Sequence, residues 1–231
     1  MKKIDTVIFD LDGTLLDTLK DLQNAINYIQ DRYGYPLHTM EQVRSHVGNG
    51  IPNLVAKSIP EEKENPLFST ILEEYKAYYG AHCNDATRPY PGIMEMLDTL
   101  QAEGYRMAIV SNKSDPAVKE LNRLYFKDYI EIAIGGNEEA GIRRKPAPDT
   151  VFTALEGLGA NSDQAVYIGD SEVDILTAQN SGMPCILCEW GFREKSYLIS
   201  QGGSYFIDQA GQLSAMIKKV ENDLADENAP A

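Results

Sequence analysis

A chain of 231 residues, 43% of them hydrophobic and 24% charged, has the composition of a globular protein rather than a disordered one, with length for one large domain or a main domain and a smaller one. Its formal net charge of −14 argues against nucleic acid or an anionic membrane as partner, because binding to either draws on Lys and Arg set against phosphates. An anionic small substrate would then need a local concentration of positive charge, supplied by a bound cation or by well-placed lysines or arginines.

Taken in chain order, the start carries Lys2 and Lys3 but no apolar stretch behind them, since Asp10 and Asp12 interrupt at once. That predicts no secretory signal. Nowhere do 18 apolar residues run together, so no transmembrane helix is expected and a cytoplasmic location follows. The first apolar run, Thr6 to Phe9, reads as a strand. From Thr18 to Arg88 the pattern changes: Leu19, Leu22, Ile26, Ile29 and Tyr33 recur at helical spacing. Helical windows follow over Met40 to Val47, Ile51 to Ile59 and Pro66 to Tyr79, broken at Gly34-Tyr35-Pro36 and Gly48-Asn49-Gly50. Glu61-Glu62-Lys63-Glu64 reads as the solvated first turn of a helix. Residues 18–88 are therefore expected to form a small all-helical domain inserted after the first strand, with linkers near Asp17 and Arg88 able to act as a hinge.

Tyr90-Pro91-Gly92 restarts the main domain, residues 1–17 and 89–231, with a helix whose core stripe is Ile93, Met96, Leu97 and Leu100. Strands are predicted over Tyr105 to Val110, Ile130 to Ile134, Ala165 to Ile168 and Cys185 to Cys188, with an edge strand over Ser204 to Ile207. Asp115-Pro116 supplies an N-cap and first helical residue. Strands alternating with helical patterns give an α/β, Rossmann-like core with a parallel sheet. Cys185 and Cys188 form a C-x-x-C, but within a buried strand their side chains face opposite sides, and with Cys83 they are expected as reduced thiols. His38, His46 and His82 are scattered and lack metal-ligand spacing. The polar end, Asp223 to Ala231, is expected to fray.

In open α/β sheets ligands gather beyond the carboxyl ends of the strands. There the chain places Asp10-Leu11-Asp12-Gly13-Thr14, then Ser111-Asn112-Lys113, then Gly169-Asp170-Ser171-Glu172-Val173-Asp174, with Lys145-Pro146-Ala147-Pro148 between the last two. Carboxylates from Asp10, Asp12 and Asp170 converging on one edge would repel one another unless a hard divalent cation held them, and oxygen-only ligands favour Mg²⁺. A lysine and a hydroxyl at the same point suit a phosphate.

In this order these residues resemble the four motifs of the haloacid dehalogenase superfamily of phosphohydrolases: D-x-D-G-[TV], then S/T, then K, then [GD]-D-x3-D. The resemblance spans nearly the whole chain. It implies Asp10 as nucleophile and Asp12 as the acid that protonates the leaving oxygen and then activates water. It implies Ser111 and Lys145 holding the phosphoryl group with Asn112 beside it, Mg²⁺ on Asp10, Asp170 and the Asp12 carbonyl, and Asp174 as outer ligand or orienter. The helical insert resembles the smaller α-helical cap of that superfamily, which favours a small phosphate ester as substrate.

Val43-Arg44-Ser45-His46-Val47-Gly48-Asn49-Gly50 further resembles the cap loop of phosphoglycolate phosphatases, and Ala108-Ile109-Val110-Ser111-Asn112-Lys113, Lys145-Pro146-Ala147-Pro148-Asp149 and Trp190-Gly191 are also similar to segments of that group. Gly48, Asn49 and Gly50 would offer N–H groups to a carboxylate, with Arg44 one turn earlier as charge partner. The alternatives are a pyrophosphatase, a nucleotide phosphatase or a sugar-phosphate phosphatase on the same machinery, and from another class a binding module on a decayed phosphatase fold. A phosphonate-cleaving relative would need a Schiff-base lysine in the insert, and no motif marks Lys57, Lys63 or Lys76.

Overall fold

A computed structural model describes residues 3–137 and 141–227. The strands in chain order are β1 (Thr6–Phe9), β2 (Leu16–Asp17), β3 (Arg88–Pro89), β4 (Arg106–Ser114), β5 (Ile132–Gly136), β6 (Ala165–Gly169), β7 (Cys185–Cys188) and β8 (Tyr205–Ile207). The helices are α1 (Leu19–Tyr33), α2 (Met40–His46), α3 (Ile51–Ser58), α4 (Phe68–His82), α5 (Ile93–Ala102), α6 (Asp115–Tyr125), α7 (Asp149–Leu158), α8 (Glu172–Asn180), α9 (Lys195–Ser200) and α10 (Leu213–Glu227). Two compact units result, Met1–Leu15 with Pro89–Ala231, and Leu16–Arg88.

The larger unit is built on a six-stranded parallel sheet in the order β5-β4-β1-β6-β7-β8. All four residues of β1 are buried at its centre, as a strand covered on both faces requires. Ile8, Ala108, Val110 and Tyr167 point to one face and pack on Val151, Ala154 and Leu155 of α7 and Ala178 of α8. Phe9 and Ile168, one position on, line a common space with Ile93 and Met96 of α5 on the other face. From β1 the chain first builds outward through β4 and β5, then crosses to β6, β7 and β8. A topological switch point therefore lies at the carboxyl ends of β1, β4 and β6.

The smaller unit is helical. Leu19, Leu22, Ala25, Ile26 and Ile29 of α1 are buried, as are Ile71, Tyr75 and Tyr79 of α4. Gly34, at φ 69°, ends α1, and Gly50, at φ 79°, caps α3. Both are backbone conformations that favour glycine. The Asp21 carboxylate accepts hydrogen bonds from the Ala86 and Thr87 N–H groups and from Thr87 Oγ1, which fastens the returning segment to α1. His38 and His46 meet edge to face at 5.6 Å, so two of the three histidines are neighbours rather than scattered. No helix among the described residues is long and apolar enough to cross a membrane.

Several expectations are corrected. β4 does not stop at Val110 but continues to Ser114, where it pairs with Gly136 after a register shift; its last residues are polar and so escape an apolar reading. Ser114 is the N-cap of α6, with Asp115 inside the helix. Glu62–Glu64 form a separate 3₁₀ turn, entered through Glu61 at φ 61°, and do not open α4. β2 and β3 pair with each other, two-residue strands too short to show any period. α10 runs to Glu227, past the point where fraying was expected, and residues 228–231 of that segment lie outside the described residues. Cys83, Cys185 and Cys188 are free thiols.

Candidate active site

The end of β1 carries Asp10, whose Oδ1 accepts from the Leu11 N–H at 2.7 Å and from Lys145 Nζ at 2.9 Å. Lys145 Nζ also donates to Asp174 Oδ1 at 2.8 Å and to the Tyr167 hydroxyl at 3.0 Å. All three of its N–H donors are thus placed. Tyr167 in turn donates to Asp174 Oδ1 at 3.1 Å. The other oxygen of Asp174 accepts from the Asp170 and Ser171 N–H groups and from Ser171 Oγ, so Asp174 both closes the capping box of α8 and anchors the lysine.

Asp170 accepts from the Phe192 N–H at 2.7 Å and from Thr14 Oγ1 at 3.2 Å. Its carboxylate lies so close to the turn after β1 that a Cβ on Gly13, already at φ 88°, would overlap it, as would a Cβ on Gly191. Trp190 Nε1 donates to the Thr14 carbonyl at 3.1 Å, which ties the Gly191 segment to the same turn.

The electrostatics are those of a site short of positive charge. Burial pushes the Asp10 carboxyl up to about 7; Lys145 pulls against it, while Asp174 and Asp12 add to it. Burial, then the charges of Asp174 and Asp10, hold Asp170 well above the usual carboxylate range. For Asp174 burial acts upward too, but the Lys145 ammonium and Ser171 outweigh it and the group stays below its ordinary value. Lys145 is opposed by burial yet held above its ordinary value by Asp10 and Asp174.

One carboxylate oxygen from each of Asp10, Asp170 and Asp174 lies within 4.8 Å of the others, all three residues buried. An all-oxygen donor set of this kind fits a hard divalent cation, and a cation there would relieve the repulsion that raises Asp10 and Asp170. The Asp12 carboxylate is not one of that trio. Both its oxygens instead accept from Lys113 Nζ, at 2.9 and 3.2 Å. Ser111 is buried in β4, its Oγ accepting from the Lys113 N–H. Asn112 Nδ2 donates to the Lys145 carbonyl at 3.1 Å and so fastens the Lys145 loop to β4.

Arg44 lies in α2, and Gly48, Asn49 and Gly50 form the turn into α3, all within the helical unit. Lys113 and Tyr167 were not singled out from the sequence. Lys113 enters the sequence reading only as the last residue of Ser111-Asn112-Lys113, with no role of its own, and Tyr167 only as part of an apolar strand. The signal available for Lys113 was its position, two residues beyond Ser111 at the carboxyl end of a strand.

The family model of haloacid dehalogenase-like hydrolases matches residues 7–188, and the chain belongs to that family. Among its relatives, a phosphoglycolate phosphatase of Rhodobacter capsulatus is 36% identical over 81% of this chain and 85% of its own length. A phosphoglycolate phosphatase of Chromobacterium violaceum is 30% identical over 94% and 98%. A crystal structure from Lactobacillus delbrueckii subsp. bulgaricus, of a protein described provisionally as a phosphoglycolate phosphatase, superposes with a TM-score of 0.88 at 36% identity, covering 94% of this chain and 99% of that one.

Proposed function

We propose that the protein is a Mg²⁺-dependent phosphatase that hydrolyses a small phosphomonoester through an aspartyl-phosphate on Asp10, with 2-phosphoglycolate as substrate. The observation that carries this reading is the placement of the Asp10 carboxylate at the end of the central strand, bonded to Lys145 and grouped with Asp170 and Asp174. In the first step a carboxylate oxygen of Asp10 attacks phosphorus, the P–O ester bond breaks, and the leaving oxygen takes a proton from Asp12. In the second, Asp12 accepts a proton from water as the water oxygen attacks phosphorus, which returns Asp10 and releases phosphate.

Asp10, Asp170 and the Asp12 carbonyl would hold Mg²⁺, which when bound neutralises phosphate charge and admits an anionic nucleophile. Asp174, whose oxygens are taken up by Lys145, Tyr167 and the start of α8, serves as orienter. Lys145 and the Ser111 hydroxyl hold the phosphoryl oxygens, and Asn112 keeps the Lys145 loop in place. The two phosphoglycolate phosphatases at 36% and 30% identity support the substrate. For its carboxylate the reading offers the Gly48-Asn49-Gly50 turn and Arg44 of the helical unit. The free thiols support a reducing, cytoplasmic setting.

The test is phosphate release from a panel of phosphorylated carboxylates, nucleotides, sugar phosphates and pyrophosphate. Activity should depend on Mg²⁺, vanish in EDTA, return with added Mg²⁺, and be highest on 2-phosphoglycolate. Preference for another class would discard the substrate and keep the mechanism, whereas full activity in EDTA would discard the mechanism.

A further inference from the structure

We propose that Lys113 is a positioning residue for Asp12, holding its carboxyl group in the orientation from which the proton reaches the leaving oxygen. The inference rests on the reading of Asp12 as general acid. Lys113 Nζ lies 2.9 and 3.2 Å from the two carboxylate oxygens of Asp12, and its side chain is only 2% exposed against 17% for Asp12. A lysine so buried is rare unless paired.

The pair joins two segments 101 residues apart in the chain. Lys113 belongs to β4, which stays in the sheet to Ser114, while Asp12 lies just beyond the end of β1 and is itself held in a β-bridge. The strand thus places the ammonium, and the ammonium restricts the carboxyl group of Asp12. Lys145 bonds Asp10 and Asp174, whereas Lys113 bonds Asp12. Loss of Lys113 should therefore be felt where Asp12 moves a proton.

In the first step the Asp10 oxygen forms its bond to phosphorus, and the ester P–O pair passes to the leaving oxygen. That oxygen also takes the Asp12 proton. Demand for the proton grows with the basicity of the leaving group: p-nitrophenolate departs with little help, an alkoxide does not. A residue that only supported the fold, or only bound phosphate, would affect both alike.

The test measures kcat/KM, which reports this first step, for aryl and alkyl phosphates of increasing leaving-group basicity at saturating Mg²⁺. Wild type is compared with Lys113→Met and with Lys113→Gln, which keeps an N–H donor and carries the comparison should the Met variant not fold. Lys113→Met should lose on the order of 10²-fold on alkyl phosphates, within the range of a general acid, and far less on p-nitrophenyl phosphate; Lys113→Gln should fall between. In an Asp12→Ala background Lys113→Met should cost nothing further. A uniform loss across the series, no loss, or an additive double variant would overturn the proposal. So would a loss that follows a carboxylate on the substrate irrespective of leaving group, since Lys113 would then bind the substrate itself. Wild-type protein inactive on every ester would instead sink the phosphatase reading, and the two failures are distinct.

Discussion

Asp10 and Asp170 are carboxylates raised first by burial and then by neighbouring carboxylates, and glycines let the backbone come close to Asp170. Gly13 shows this most sharply. Its φ of 88° disfavours any side chain, and a Cβ would meet the Asp170 carboxylate. Gly13→Ala should therefore cost about 1–3 kcal/mol in urea unfolding and, by displacing Asp170, weaken the Mg²⁺ dependence of activity. Wild-type stability together with wild-type Mg²⁺ response would contradict that geometry. At this scale the acidic positions could be read because Asp10, Asp12 and Asp170 follow apolar strands, where a carboxylate has little other reason to be, whereas the closeness of Gly13 to Asp170 could not. Nor could Lys113 and Tyr167, because their meaning lies in what they touch across the sheet, Asp12 in one case and Lys145 with Asp174 in the other.

Elements place these groups by where they start and stop. α8 begins with a capping box in which Ser171 Oγ donates to Asp174 at 2.6 Å, so the helix start and the anchor of Lys145 are one structure. Ser171→Ala removes the cap but leaves Asp174 its bonds to Lys145, Tyr167 and two N–H groups. It should cost about 1 kcal/mol of stability with kcat changed only slightly, as read by denaturant melts beside steady-state rates; a collapse of kcat would make Ser171 part of the chemistry. The apolar runs of β1, β6, β7 and β8 could be read from sequence because buried parallel strands are nearly continuous in apolar residues. The polar end of β4 could not, and neither could β2 and β3, which have two residues each and no pattern to read.

Across the whole molecule, a chain of net charge −14 gathers its chemistry at one edge of one sheet, and it does so by topology. Thr6 lies opposite both Arg106 and Ala165, residues 100 and more positions away. No local pattern announces that pairing, but the rule that ligands gather at strand ends and switch points makes the site recoverable without it. What sequence could not supply is which side chains share hydrogen bonds once the ends meet, and it is there that Asp12 leaves the carboxylate trio for Lys113. In the proposed reaction phosphate passes through a covalent bond to Asp10. The most direct measurement is acid quench during turnover of p-nitrophenyl phosphate with Mg²⁺, followed by mass mapping of the peptide that contains Asp10. An alkali-labile phosphoryl group should be found on Asp10 in the wild type, accumulate in Asp12→Ala where hydrolysis of the intermediate is slowed, and be absent from Asp10→Asn, which should also be inactive. Phosphate release by Asp10→Asn at near-normal rate, or a phosphoryl group on any other residue, would contradict the account.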